Sequence, residues 1–233
     1  NSIRKKPKIY SNPNRYAPKP SISAIDDGFK IKGYQEFFIS KRNITASENS
    51  YDLKQKYKLL KPIYNESLNG KSFLDLGSAG GFFSFIAIQN GAYVNSIDMD
   101  PDYTNLMHII KEKLNYKNLK IHQMNISKWN LKADYVNALS LIHWLYSCTA
   151  IMGNMDYMIK FLRNLTNTCL IIEWIDPKDN AIKYFNHLDY NINFVEKDYN
   201  RECFINSLKT NYSTVKFLGF TRKNTRELFI ATV

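Results

Sequence analysis

Phe73-Leu74-Asp75-Leu76-Gly77-Ser78-Ala79-Gly80-Gly81-Phe82-Phe83 is the stretch that decides how this chain is read. The apolar run Phe73 to Leu76 suits a strand covered on both faces, and Gly77, Gly80 and Gly81 give the backbone freedom of a tight strand-to-helix turn. Phe82, Phe83, Phe85, Ile86 and Ile88 then fall mostly on one side of a helix over Gly81 to Asn90, which Gly91 stops. A second strand, Ala92 to Ile97, ends on Asp98, 17 residues after Gly81. In a parallel βαβ unit that end lies beside the end of the first strand, near the roughly 20-residue interval at which a carboxylate meets a ribose.

Spacing alone leaves two cofactors open. A dinucleotide brings its pyrophosphate to a helix N-terminus, whereas S-adenosylmethionine has no phosphate and needs a partner for its ammonium. Asp75 separates them, because a carboxylate two residues before the first glycine repels a pyrophosphate but can hold an ammonium, directly or through water. With Asp98, the run Asp75-Leu76-Gly77-Ser78-Ala79-Gly80-Gly81 resembles the first two motifs of the class I S-adenosylmethionine-dependent methyltransferases, whose loop usually reads Asp/Glu-x-Gly-x-Gly-x-Gly. Ala79 stands where the family usually has its middle glycine. The resemblance covers residues 54 to 233 and implies a Rossmann-like α/β fold. Its seven-stranded sheet would have the order 3-2-1-4-5-7-6, with helices on both faces and the cofactor at the carboxyl ends of strands one to four. It further implies cofactor contacts from Asp75, Gly77, Ser78, Ala79, Gly81, Asp98, Met99 and Ser140.

Length and composition set the bounds. At 233 residues the chain accommodates one α/β domain with a substantial core and a small extension. A formal charge of +11 invites a polyanion partner, yet the abundance of Lys, Asn, Ile and Tyr is equally what an A+T-rich coding sequence produces. Cys148, Cys169 and Cys203 form no CxxC pair, which points to neither a disulfide framework nor a metal site and fits a reduced, cytoplasmic setting. No apolar run is long enough to span a bilayer, and no signal-peptide core opens the chain. The first residue is Asn rather than Met, so the chain is expected to be processed or to be one domain of a longer protein.

Taken in order, residues 1 to 27 read as a basic, Pro-rich arm and 28 to 53 as a cap or lid segment, where Phe29 to Tyr34 and Phe37 to Ile39 suggest short strands. The segment before the first helix folds over the cofactor in many class I enzymes, which makes Tyr34 and Gln35 candidates to cap its methionine end. Ser50 to Leu68 reads as a helix with Leu53, Tyr57, Leu60 and Tyr64 inward, and with Lys54, Lys56 and Lys58 expected outward. Pro101 starts a helix through Leu114, and Leu119 to Met124 form the third strand. The family usually places an Asp after that strand to accept the adenine amino group. Here Asn125 stands there and can accept through its amide oxygen, while Ile126 would supply a backbone N–H and an apolar wall.

The fourth strand, Tyr135 to Ser140, ends where class I enzymes set out their chemistry. Amino-directed enzymes show Asn/Asp/Ser-Pro-Pro-Tyr/Phe at this point, cytosine C5 enzymes show Pro-Cys, and metal-dependent ones show Asp. This chain reads Ser140-Leu141-Ile142-His143-Trp144. His143 remains as the candidate general base, since an imidazole titrates near operating pH; contact with the cofactor carboxylate and a structural role stay open beside it. The fifth strand, Cys169 to Ile175, carries Glu173, which can orient His143, bind a hydroxyl or form a salt bridge at the strand mouth. The block Ile172 to Asp179, with Ser140 to Trp144, resembles a methyltransferase subgroup associated with bacterial glycan and capsule clusters. Asp179 to Asn200, with Tyr184, Phe185, Tyr190 and Phe194, is expected to cover the substrate pocket. The expected activity is methyl transfer to a hydroxyl of a sugar or other small polar acceptor. An RNA acceptor and a non-catalytic cofactor- or partner-binding module are the alternatives.

Overall fold

The computed structural model describes residues 18–147, 152–185 and 198–233. The basic arm through residue 17, Cys148, Tyr190 and Phe194 lie outside these, as do the side chains of Tyr184 and Phe185.

A four-stranded antiparallel meander opens the described chain: β1 (Ser21–Ile25), β2 (Gly28–Lys32), β3 (Phe37–Ser40) and β4 (Ile44–Ala46), in that spatial order. β1 extends the expected pair of strands into residues read as arm. Next, α1 (Tyr51–Ser67) carries Pro62 inside it. The main sheet then comprises β5 (Ser72–Leu76), β6 (Tyr93–Asp98), β7 (Leu119–Gln123), β8 (Ala133–Ala138), β9 (Thr166–Ile175), β10 (Thr214–Arg222) and β11 (Arg226–Thr232). Its order is β10-β11-β9-β8-β5-β6-β7, the expected 3-2-1-4-5-7-6 read from the other edge. β11 runs antiparallel to β9 and β10, and the other pairings are parallel.

The helices are α2 (Phe82–Gln89), α3 (Pro101–Leu114), α4 (Ile142–Ser147), α5 (Met155–Leu165), α6 (Asn180–Phe185) and α7 (Arg201–Asn211). α3 starts as its sequence dictates, with Pro101 in the first turn and the Asp100 side chain accepting from the Asp102 N–H. Strand alternation sends side chains to two cores. Leu74, Leu76, Val136, Ala138, Leu170 and Ile172 join α4, α5 and α7 on one face of the sheet. Phe73, Tyr135, Cys169 and Ile171 join α1, α2, α3 and the meander on the other. Phe73, Phe82 and Phe85 are fully buried there, each contributing roughly 1.5–3 kcal/mol of transfer free energy. Among the described residues no helix is long and apolar enough to cross a membrane.

The second face is broken by polar residues. Ser96, Asp75 and Asn137 stand directly opposite one another on β6, β5 and β8, and Glu173 lies on β9 two residues beyond Ile171, the partner of Asn137. All four are buried. A buried polar row on a core face is costly unless each member is paired, so its presence at the carboxyl ends of the central strands marks the site.

Candidate functional site

A cavity of about 420 Å³ opens at these strand ends. Asp75, Gly77, Asn137, Leu139 and Ser140 come from the central strands and their turns; Tyr34 and Gln35 from the β2–β3 connection; Lys56 from α1; Arg226 from β11. Five of the expected residues, Tyr34, Gln35, Asp75, Gly77 and Ser140, thus meet in one space.

The cofactor side is built locally. Gly77 has φ +68, a left-handed conformation that favours glycine, and a Cβ there would lie 2.9 Å from Leu141 Cδ1. Ala79 is also left-handed, at φ 48, and its N–H donates to Asp98 Oδ2 at 2.8 Å. Asp98 Oδ1 accepts from the Asp100 N–H at 2.9 Å. Burial raises the Asp98 carboxyl pKa, against the lowering effect of these N–H donors. Gln35 Oε1 accepts from Phe82 N–H at the start of α2, at 3.1 Å, which binds the β2–β3 connection to the glycine turn. The Tyr34 N–H donates to Tyr103 Oη at 2.7 Å, and the Tyr34 side chain is 48 % exposed. Ser78 is buried, Met99 is exposed, and Ile126 packs in the core. Asn125 caps the short 3-10 turn Ile126–Lys128, its Oδ1 accepting from Ser127 N–H at 3.0 Å and Ser127 Oγ at 2.9 Å.

Asp75 is nearly fully buried. Its Oδ2 accepts from Ser84 Oγ at 2.6 Å and its Oδ1 from Asn137 Nδ2 at 2.7 Å, and no lysine or arginine among the described residues pairs with it. Burial pushes its carboxyl pKa up to about 6, in spite of those two hydrogen bonds. This is a buried acid facing a cavity without a counter-charge. Its chemistry fits a ligand that brings an ammonium, as S-adenosylmethionine does.

The opposite wall converges from distant parts of the chain. Glu173 is fully buried; its Oε2 accepts from Ser140 N–H at 2.8 Å and Ser140 Oγ at 3.0 Å and pairs with Lys56 Nζ at 2.8 Å, while its Oε1 accepts from Thr221 Oγ1. Lys56 is therefore not outward as its helix pattern suggested: it is 6 % exposed and also donates to Ser140 Oγ at 2.6 Å. The physical reason is that an ion pair at Glu173 compensates burial of the ammonium. The position itself was a signal, because Lys56 lies three residues after Leu53 and four before Leu60, on the buried stripe of α1. Arg226 Nη1 donates to Ser140 Oγ at 3.1 Å, and its Nε and Nη2 clasp Asp179 at 3.0 Å each. Arg222 bridges Asp179 and Asp52. Burial alone would raise the Glu173 and Asp179 carboxyls, but Lys56 and Arg226 at the first and Arg226 at the second hold both below their ordinary values. Ser140 has φ 51, a left-handed conformation rare for serine, which aims both its N–H and its hydroxyl at Glu173.

His143 stands in the first turn of α4 beyond Ser140, 1 % exposed, its ring centroid 5.2 Å from that of Trp144. It is not among the described residues lining the cavity. Sequence reasoning missed Asn137, Lys56, Arg226 and Arg222; Asn137 had a local trace, as a polar residue between the apolar Val136 and Ala138.

Comparisons with known proteins bear on the fold and the family. Residues 67–200 match the family model described as a methyltransferase domain. No curated protein sequence matches the chain significantly. Magnesium protoporphyrin IX methyltransferase from Synechocystis PCC 6803, solved with bound S-adenosylhomocysteine, superposes with a TM-score of 0.56 at 16% identity, covering 78% of this chain and 82% of that one. A putative S-adenosylmethionine-dependent methyltransferase from Listeria monocytogenes gives 0.55 at 19% identity, covering 77% and 98%. The bifunctional kinase-methyltransferase WbdD gives 0.56 at 17% identity, covering 82% of this chain and 40% of that one. With the family model spanning more than half of its length, the chain belongs to the methyltransferase-domain family and is an S-adenosylmethionine-dependent methyltransferase.

Proposed function

We propose that the chain is an O-methyltransferase acting on a hydroxyl of a sugar or other small polar acceptor. The observation that carries this reading is the charge pattern of the cavity's far wall. Lys56, Arg226 and Arg222 line it together with Asp52, and the buried carboxylates of Glu173 and Asp179 behind them complete ion pairs that cancel the charge. Such a surface suits hydroxyls, which donate and accept at once, whereas a polyanion such as RNA gains most from an excess of cations.

S-adenosylmethionine supplies an electrophilic methyl group when bound. Asp75 would hold its ammonium and Asp98 its ribose, with Tyr34 and Gln35 over the methionine end and Asn125 and Ile126 beside the adenine. The acceptor would enter beside Ser140, held by spare N–H donors of Lys56 and Arg226. With the acceptor oxygen held in line with the methyl group, these residues would act mainly by positioning, which would supply most of the rate enhancement. In this reading His143 takes the hydroxyl proton as charge leaves the oxygen. His143 is buried and outside the described cavity lining, so this role requires its contact with the hydroxyl to close when the acceptor binds. We further place the chain in the cytoplasm, a reading that the free thiols of Cys169 and Cys203 support.

A mass-spectrometric screen tests the proposal. Protein, S-adenosylmethionine and a panel of neutral sugars, sugar phosphates, small alcohols and short RNAs are incubated, and gain of one methyl is read on each. Methylation of a hydroxyl on a small acceptor is the expected result; methylation of RNA alone, or of nitrogen or carbon, overturns it.

A further inference from the structure

We infer that Asn137 is a positioning residue for the cofactor's amino-acid arm, acting with Asp75 as a two-sided receptor for its ammonium. The inference rests on the S-adenosylmethionine assignment and goes beyond it, because nothing in the glycine motif points to β8.

The geometry is specific. Asn137 is directly opposite Asp75 in the sheet, is 1 % exposed and lines the cavity. Its Nδ2 donates to Asp75 Oδ1 at 2.7 Å, which fixes the amide orientation with the carbonyl on the other side. That carbonyl, Oδ1, is buried and has no hydrogen-bond partner, although a buried amide oxygen ordinarily has one. Asp75, for its part, has both oxygens held by neutral donors, Ser84 and Asn137, and no cation beside it. An orphan acceptor next to an uncompensated acid defines the missing group: a cation with more than one N–H to donate. A primary ammonium has three, enough to meet Asp75 with one and Asn137 Oδ1 with another. A sulfonium fits less well, because it has no donor.

Affinity measurements with three ligands separate this role from a merely structural one. S-adenosylhomocysteine carries the ammonium, its des-amino analogue lacks only that group, and 5′-methylthioadenosine lacks the whole arm. For wild type, removing the amino group should weaken binding by about 10- to 100-fold, the range for a hydrogen-bonded charge. Asn137→Ala should weaken S-adenosylhomocysteine by about tenfold or more and leave 5′-methylthioadenosine unchanged. The two losses should be less than additive, because they remove the same contact. Asn137→Ser, which keeps a donor for Asp75 but withdraws the carbonyl, should behave like Asn137→Ala and guards against a fold defect in the latter. Equal weakening of all three ligands, or full additivity of the two losses, overturns the inference. So does a wild type that binds the des-amino analogue as tightly as S-adenosylhomocysteine, whatever the variants do. Failure of wild type to bind any of the three overturns the cofactor assignment and this inference with it.

Discussion

The two walls of the cavity are made in opposite ways. The cofactor wall is local: Asp75, Gly77, Ala79, Gly81 and Asp98 all come from one βαβ unit, and the hydrogen bond from Ala79 N–H to Asp98 closes it. The far wall is assembled from α1, β9, β10, β11 and the turn after β8, through contacts such as Lys56 to Glu173 and Arg226 to Asp179. On the first wall a buried acid waits for an external cation; on the second every buried acid already has an internal one. A common cofactor can be met by a short motif that carries its own geometry. In the proposed reading, the surface facing the acceptor draws on what the tertiary fold brings together.

The largest expected effect is at the proposed base, which belongs to neither wall. His143→Ala should lower the methyl-transfer rate by roughly 10²–10⁴-fold while leaving S-adenosylhomocysteine affinity nearly unchanged. Steady-state kinetics and calorimetry on the same preparation decide it: an unchanged rate removes His143 as the base, and a parallel loss of affinity makes it a cofactor contact.

Breaking the far wall should cost stability first. Lys56→Met leaves Glu173 buried without its lysine, and removal of one partner from such a pair costs about 3–5 kcal/mol. Urea denaturation measures it, and Lys56→Met combined with Glu173→Leu should recover most of the loss. A single-variant loss under about 1 kcal/mol would mean that solvent reaches the pair and the wall is not the buried network described here.

On the cofactor wall, Asp98→Ala should leave the fold intact and weaken S-adenosylhomocysteine by about 10- to 100-fold, the worth of hydrogen bonds to a charged acceptor. Calorimetry showing wild-type affinity would detach Asp98 from the ribose.

Acidification should move the walls in opposite directions. Asp75 has its folded pKa raised by burial to about 6, above its unfolded value, so the folded state binds the extra proton first. Its contribution to stability without ligand therefore grows as pH falls from about 6 toward the unfolded value. Its hold on an ammonium fades in the same window, and affinity for S-adenosylhomocysteine should drop by about tenfold between pH 7 and 5. Glu173 and Asp179 have lowered folded pKa values, so the stability they give is present above their unfolded values and is lost as pH falls through the folded ones. Asp75→Asn should flatten the affinity profile; a variant that still loses tenfold places the titrating group elsewhere.

The smallest effect is a control outside both walls. Arg201 and Glu227 form a two-bond pair at 2.7 Å, but the arginine side chain is 53 % exposed, and Arg201→Ala should cost less than about 1 kcal/mol with no change in cofactor affinity.

What the sequence determined by itself follows from periodicity and from short-range geometry. The apolar run, glycine placement and one-sided apolar residues in Phe73 to Gly91 were enough to read β5, the turn and α2, and Pro101 to Leu114 was readable as α3 because its cap residues lie next to it. The seven-strand order came from the resemblance that those residues carry. Tyr34, Gln35, Asp75, Gly77 and Ser140, named on the same resemblance, line one cavity. The roles of Lys56, Arg226, Asp179 and Asn137 were decided only by tertiary structure. A charged residue's burial depends on whether an opposite charge arrives from elsewhere in the chain, and no local pattern encodes that meeting. Lys56 shows the limit: its place on the apolar stripe of α1 was visible, but the lysine has reason to turn inward only because β9 brings Glu173 within 2.8 Å.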